Sequence, residues 1–146
     1  MIKDKLVKLL NHALGLEHAA RIQYLAHAEL VGGLNAEPII ARLKEIASDE
    51  EKHEGIFRTL ISDYLGGVPS MEIAKTTQAK TIAEILKVNL KAEKEAVEIY
   101  AKILEELKKA KDELPYEYLK VEHDVRHILM DEQEHAVELK ILLGQR

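Results

Sequence analysis

Apolar residues recur along this chain at the three- and four-residue spacing of buried helix faces. The first face runs through Leu6, Leu10, Ala13, Leu14, Glu17, Tyr24 and Ala28. It predicts a helix from about Lys3 to Val31, closed by Gly32-Gly33. Pro38 fits the first turn of a second helix. That helix runs to about Leu65 with Ile46, Ala47, Glu50, His53, Phe57, Leu60 and Ile61 inward, and Gly66-Gly67-Val68-Pro69 stops it. Residues 66 to 80 show no strong period and read as a long connection. Thr81 and Glu84 have the spacing of a capping box. A third helix then extends to about Lys111, with Ile85, Leu86, Glu93, Val97, Tyr100, Leu104 and Leu107 inward. Pro115 opens a fourth, with Ile128, Glu132, His135, Leu139 and Leu142 inward, and Gly144 ends it. Strand-like alternation is absent. Short first and third connections and a long middle one predict an all-α fold, an antiparallel four-helix bundle with a crossover between helices two and three.

Composition agrees with long helices: Ala, Leu, Ile, Glu and Lys dominate, and Gly and Pro are few. At 146 residues the chain reads as one domain, residues 1–146, large enough to bury a core. A formal charge of −5 argues against nucleic acid as a partner. With no cysteine, disulfides, zinc-thiolate sites and iron–sulfur clusters are excluded. No apolar run approaches the roughly 20 residues that cross a membrane, and MIKDKLVKLL lacks a signal core. The expectation is a soluble, cytoplasmic protein. Abundant Glu and Lys with little Asn and Gln leans mildly towards a thermophile.

The inward faces carry residues that a dry core does not favour. Helix two has Asp49-Glu50-x-x-His53 and helix four has Asp131-Glu132-x-x-His135. At i and i+3 a Glu and a His lie on one side of a helix, about one turn apart, and can hold one metal ion together. Spacing alone is weak, since 20 Glu and seven His would produce such a pair by chance. Placement is stronger: the chain has no other Glu-x-x-His, and both pairs fall on apolar faces. Helices one and three each place a Glu inward instead, Glu17 and Glu93, followed seven residues later by Tyr24 and Tyr100. LEHAARIQY at 16–24 weakly echoes AEKEAVEIY at 92–100, so the chain looks like a doubled hairpin. An unpaired buried ion costs several kcal/mol even after relaxation, and divalent cations would reverse that sign. Carboxylates and imidazoles without thiolate suit iron or manganese, and zinc also binds such sets.

Blander readings apply elsewhere. A single inward Glu is more often a helix-edge residue reaching water; six such residues together are not explained that way. Tyr24 and Tyr100 read as core residues with hydrogen-bonded hydroxyls ahead of redox participants. His12, His18, His27, His123 and His127 read as surface or rim residues. Glu51, Glu54, Glu95, Glu98 and Glu134 read as a solvated charged face, and Met71 has no ligand context.

At these residues, and over nearly the whole chain, the sequence resembles the ferritin-like superfamily of di-iron carboxylate proteins, bacterioferritin most closely. Glu17, Glu50, His53, Glu93, Glu132 and His135 fill that family's ligand pattern. LGGVPS at 65–70 is similar to its turn after helix two. The resemblance implies that Glu17 and His53 bind one iron, Glu93 and His135 the other, and that Glu50 and Glu132 bridge both. It implies that Asp49 and Asp131 each accept the free ring N–H of a ligand histidine, and that Tyr24 stands beside the site in a catalytic position. The departures carry information too. Glu51 stands where bacterioferritin has its haem-binding Met, so no haem is expected. The short fifth helix of ferritin cages has no counterpart after Gly144, an expectation against that cage geometry. Ala96 replaces the extra Glu of rubrerythrin, whose Cys-rich domain is also missing. DNA-protecting ferritin relatives build their site across a subunit interface, whereas these six ligands suit one bundle.

The expected function is oxidation of Fe(II) by O₂ or hydrogen peroxide, a ferroxidase serving iron storage or detoxification. Two iron ions per chain are expected, with manganese or zinc able to take their place, in a homo-oligomer that is a dimer or larger. A rubrerythrin-like peroxidase or a di-iron oxidase without storage is the enzymatic rival. A helical bundle stapled by metal without reaction is the rival of another class.

Overall fold

The computed structural model describes residues 1–146 as four long helices: α1 (Ile2–Ala28), α2 (Ala36–Thr59), α3 (Ile82–Lys109) and α4 (Tyr118–Leu142). α1 packs mainly on α2 and α3 on α4, so two antiparallel hairpins face each other. The long crossover joins α2 to α3, as the periodicity predicts.

Helix ends differ from the sequence expectation for local reasons. α1 stops at Ala28, three residues before Val31, with Gly33 in the left-handed region at φ 103°. Pro38 sits in the first turn of α2, where its missing N–H breaks no bond. α2 does reach the expected end near Leu65, but its last turn, Leu60–Tyr64, widens into a π-helix. There Leu65 N donates to Leu60 O at 3.0 Å, and Leu60, Ile61 and Leu65 are all buried. Thr81 caps α3 by accepting from Glu84 N at 3.1 Å. Pro115 lies in a turn before α4 and does not open it; the helix begins three residues later at Tyr118. Gly144, at φ 80°, closes α4 while Gln145 N donates back to Lys140 O at 2.8 Å. Of the residues expected inward, Val97 and Leu104 are half-buried and Leu142 is exposed; Ile103 is buried instead.

The apolar core is divided. One cluster includes Leu6, Leu10, Leu14, Phe57, Ile61, Tyr100, Val121 and Val125; the other includes Tyr24, Leu43, Ile46, Ile85, Leu86 and Leu139. Between them lies a layer of buried charged residues.

The crossover is a strap laid along α1. Asn11 brackets it by donating to Val68 O at 3.0 Å and accepting from Ser70 N at 2.7 Å. Further on, Ala74 N donates to Gly15 O at 3.0 Å, and His18 Nδ1–H to Glu72 O at 2.7 Å. Its far end closes a ring. Thr77 N donates to Gln23 Oε1, Gln23 Nε2 to Asn89 Oδ1, Asn89 Nδ2 to His27 Nδ1, and His27 Nε2–H to Thr77 O, all at 2.7–3.0 Å. His27 is therefore buried, which corrects its sequence reading as a surface or rim residue. The strap covers it, and burial lowers its pKa, consistent with the neutral tautomer that the ring of bonds requires.

Gly67 is the tightest point of the strap. A Cβ there would lie 2.6 Å from Val7 Cγ2 and 3.2 Å from Val7 Cβ. Overpacking against a stiff β-branched side chain costs about 1–3 kcal/mol. Gly67→Ala should therefore lower the melting temperature by several degrees, and adding Val7→Ala should restore most of the loss. Thermal denaturation of the single and double variants measures this.

Candidate metal centre

Each helix contributes to the central layer from its inward stripe. α1 brings Glu17, α2 Glu50 and His53, α3 Glu93, and α4 Glu132 and His135, every one of them at most 2 % exposed. The structure brings together all six residues singled out in the sequence. Two overlapping sets form. Glu17, Glu50, His53 and Glu132 make one, and Glu50, Glu93, Glu132 and His135 the other; within each set the ligand atoms lie within 4.8 Å of one another.

Distances separate shared from unshared carboxylates. His53 Nδ1 lies 3.0 Å from Glu132 Oε1, 3.2 Å from Glu50 Oε1 and 3.4 Å from Glu17 Oε1. His135 Nδ1 lies 3.5 Å from Glu93 Oε1, 3.6 Å from Glu50 Oε1 and 3.8 Å from Glu132 Oε1. Glu50 and Glu132 thus face both imidazoles, Glu17 only the first and Glu93 only the second. The carboxylates fall into a shared pair, Glu50 and Glu132, and an unshared pair, Glu17 and Glu93.

The surroundings aim these groups. His53 Nε2–H donates to Asp131 at 2.8 Å and His135 Nε2–H to Asp49 at 2.9 Å. Each Asp serves the histidine of the other motif and directs Nδ1 into the layer. Tyr24 O–H donates to Glu93 Oε1, and Tyr100 O–H to Glu17 Oε1, both at 2.7 Å. The donors toward the layer are then exhausted. Glu17 Oε2, Glu50 Oε1, His53 Nδ1, Glu93 Oε2, Glu132 Oε1 and His135 Nδ1 are buried without a hydrogen-bond partner. Native interiors leave only a few such atoms, and scattered ones. One unpartnered atom from each of six residues, converging in one layer, fits a pair of cations and fits no protein partner. Carboxylate-rich sets with two imidazoles suit iron or manganese, and zinc can also bind them.

The protonation of the chain alone shows the same strain. Burial, then the neighbouring carboxylates, hold Glu50 and Glu132 well above the usual carboxylate range. Burial also raises Glu17 against the adjacent His53 and the hydrogen bond from Tyr100. Glu93 is lowered despite its burial, because the adjacent Glu132 and His135 and the hydrogen bond from Tyr24 favour its charged form. Burial by itself would lower His53; the Glu132 and Glu17 carboxylates overturn that and push it up to about 11. His135 is raised against its burial by Glu93 and Asp49. Burial and adjacent carboxylates raise both tyrosines well above the normal phenol range, so Tyr24 and Tyr100 remain hydroxyl donors.

A cavity of about 80 Å³ reaches the layer between α1 and α3. Ala19, Ala20, Ala92 and Ala96 leave this space, Lys75 of the crossover lines it, and it ends on the carboxylates and both tyrosines. Sequence reasoning missed a second polar cluster just outside the layer. Glu54, read as part of a solvated face, is 4 % exposed. It accepts from Arg21 Nε, with His18 Nε2 and Arg58 Nη1 each 3.6 Å away. The available signal was its place four residues after Glu50, paired with Arg21 four residues after Glu17. His12, His123 and His127 are exposed, as expected.

These protonation states set a pH dependence. Below 6.5 His53 is protonated both folded and unfolded; above 6.5 only the folded chain keeps the proton, up to about 11. The stability this contributes is full below 6.5 and is lost as pH rises toward 11. The raised Glu50 and Glu132 act in the same direction from a lower starting pH, because ionising them in the buried layer is costly. Metal-free protein should therefore melt at progressively lower temperature from pH 6 to pH 9. A bound ion displaces these protons, so its affinity should rise with pH and binding should release protons. Titration calorimetry in two buffers of different ionisation enthalpy counts the protons released.

Comparison with known proteins places this geometry. A model of the ferritin-like domain matches residues 7–145. No curated protein sequence matches the chain. A ferritin-like, diiron-carboxylate protein from Bacillus anthracis str. Ames superposes with a TM-score of 0.88 at 24 % identity, over 98 % of both chains. The bacterioferritin-related protein of Bacteroides fragilis, a dodecameric thioferritin, superposes with a TM-score of 0.83 at 24 % identity, over 97 % of this chain and 86 % of its own. At that identity the two structures speak for the fold, and the domain match over nearly the full length speaks for descent: this chain belongs to the ferritin-like family.

Proposed function

We propose that the chain is a ferroxidase, oxidising Fe(II) with O₂ or hydrogen peroxide at the buried layer. The observation that carries this is the convergence of six unpartnered ligand atoms in two sets that share Glu50 and Glu132. Glu17 and His53 would hold one ion, Glu93 and His135 the other, and Glu50 and Glu132 both. A pair of Fe(II) ions supplies two electrons, enough to reduce one hydrogen peroxide to two waters with the uptake of two protons. Tyr24 and Tyr100 each engage one oxygen of a terminal Glu and leave the other without a hydrogen-bond partner. Asp49 and Asp131 fix the tautomer of the two imidazoles.

The cavity narrows the oxidant. About 80 Å³ holds roughly two or three molecules the size of water and excludes most organic substrates. The four carboxylates at its inner end are buried, which strengthens the electrostatics there. Both features favour ferroxidase chemistry over oxidation of an organic compound. The dodecameric Bacteroides relative supports a homo-oligomer here as well, and a closed shell would let oxidised iron be stored.

Anaerobic loading should give about two Fe(II) per chain, the number that such carboxylate bundles hold. His53→Ala and His135→Ala should each weaken one position and slow oxidation severely in stopped-flow absorbance, whereas His12→Ala should do little. Fewer than about one ion per chain would count heavily against the centre.

Filling the cavity tests the route of the oxidant separately. Ala96→Leu should leave Fe(II) binding near its wild-type stoichiometry while slowing oxidation by about tenfold or more, as misplacement around a reacting centre does. Unchanged rates with O₂ and with peroxide would show that the oxidant enters elsewhere.

A further inference from the structure

Two histidines have no part in the buried centre. His123 and His127 stand four residues apart on α4, and both are exposed. On a helix that spacing brings side chains over the same turn; here the ring centroids are 4.1 Å apart with the planes tilted by 32°. His123 Nδ1 lies 3.0 Å from Asp124 Oδ1, and Lys120 Nζ lies 3.2 Å from the other oxygen of that carboxylate. A carboxylate on Nδ1 selects the tautomer whose lone pair is on Nε2, the usual way an imidazole is oriented toward a metal ion. Two histidines at i and i+4 of one helix also form half of a familiar zinc ligand set. The nearby cations are already engaged, Lys120 with Asp124 and Arg126 with Glu122 at 2.7 Å. Stacking of two exposed side chains would by itself contribute only about 0.2–0.5 kcal/mol to the helix.

We infer that His123 and His127 form a surface site for one divalent transition-metal ion. The ligand chemistry selects which ion. Two imidazoles favour Cu(II), Ni(II) and Zn(II), and Fe(II) stands below all three in affinity for nitrogen ligands. The buried layer, with four carboxylates to two imidazoles, is a harder set that suits iron. The two sites therefore sort different ions on one molecule. They are also linked along α4. Asp131 is the next residue of the His123–His127 stripe, four positions on, and it is the carboxylate that holds His53 Nε2. The surface site thus lies on the side of the bundle where a centre histidine is anchored.

Zn(II) binding to the intact protein tests this by equilibrium dialysis in a buffer without competing ligands. Wild-type protein should bind one more Zn(II) per chain than the double variant His123→Ala/His127→Ala. Either single variant should weaken that extra ion by about tenfold or more, and Asp124→Asn should weaken it by about tenfold, the range found when an orienting partner is lost. Both histidines are exposed, so the variants should keep the wild-type circular dichroism and Fe(II) oxidation rate. Equal Zn(II) counts in wild-type protein and the double variant would overturn the surface site. The comparison is a difference of one ion, so it stands whether or not the buried layer oxidises iron.

Discussion

A carboxylate removed from water loses several kcal/mol of hydration that apolar neighbours cannot return. This bundle places four carboxylates and two imidazoles at no more than 2 % exposure in its middle layer. That cost is the constraint around which the rest is organised. Apolar clusters above and below the layer hold the four backbones at bundle spacing without help from the charged residues. The fold is thus carried by Leu, Ile, Phe and Val, and the layer is free to stay unsatisfied until a cation arrives. A metal bound there would add to a bundle that the apolar clusters already support.

The layer is held by reciprocal contacts. Tyr24 of α1 serves Glu93 of α3, and Tyr100 of α3 serves Glu17 of α1. His53 of α2 is anchored by Asp131 of α4, and His135 of α4 by Asp49 of α2. Every one of these four bonds crosses from one hairpin to the other. A pseudo-twofold repeat in the sequence thereby becomes an interlocked site, in which neither hairpin can orient its own ligands. Ligands preset by neighbouring bonds lose little freedom on binding, which is the general advantage of a supported site.

The sequence made the helices and the six central residues legible because both are written in the period of single helices. Glu17, Glu50, Glu93 and Glu132 occupy positions that an apolar stripe reserves, and the two histidines follow at i+3. What periodicity could not supply depends on neighbours. His27 and Asn89 are buried because the crossover lies over α1 and closes a hydrogen-bonded ring there, and residues 66 to 80 carry no period from which that path could be read. Glu54 sits at the edge of the α2 stripe, and it is buried because Arg21 on the neighbouring helix covers and neutralises it. The π turn at Leu60–Tyr64 reflects the need to bury Leu60, Ile61 and Leu65 together, a packing demand that no local propensity states.

The two sides of the centre differ in kind, and the difference follows from the strap. Between α2 and α4 the layer is closed by the imidazoles, with the partly exposed carboxylates of Asp49 and Asp131 behind them, so that side presents negative charge to solvent. Between α1 and α3 it is closed by alanines, whose missing side chains leave the cavity, and by Lys75. Lys75 is placed there because Ala74 N is bonded to Gly15 O on one side of it and Thr77 N to Gln23 Oε1 on the other. On the α1–α3 side Lys75 stands with Glu95 and the Gln23 amide among the alanine methyl groups. The polar ring that buries His27 therefore does more than tie down a loop: by fixing the strap it holds Lys75 at the cavity that leads to the carboxylates.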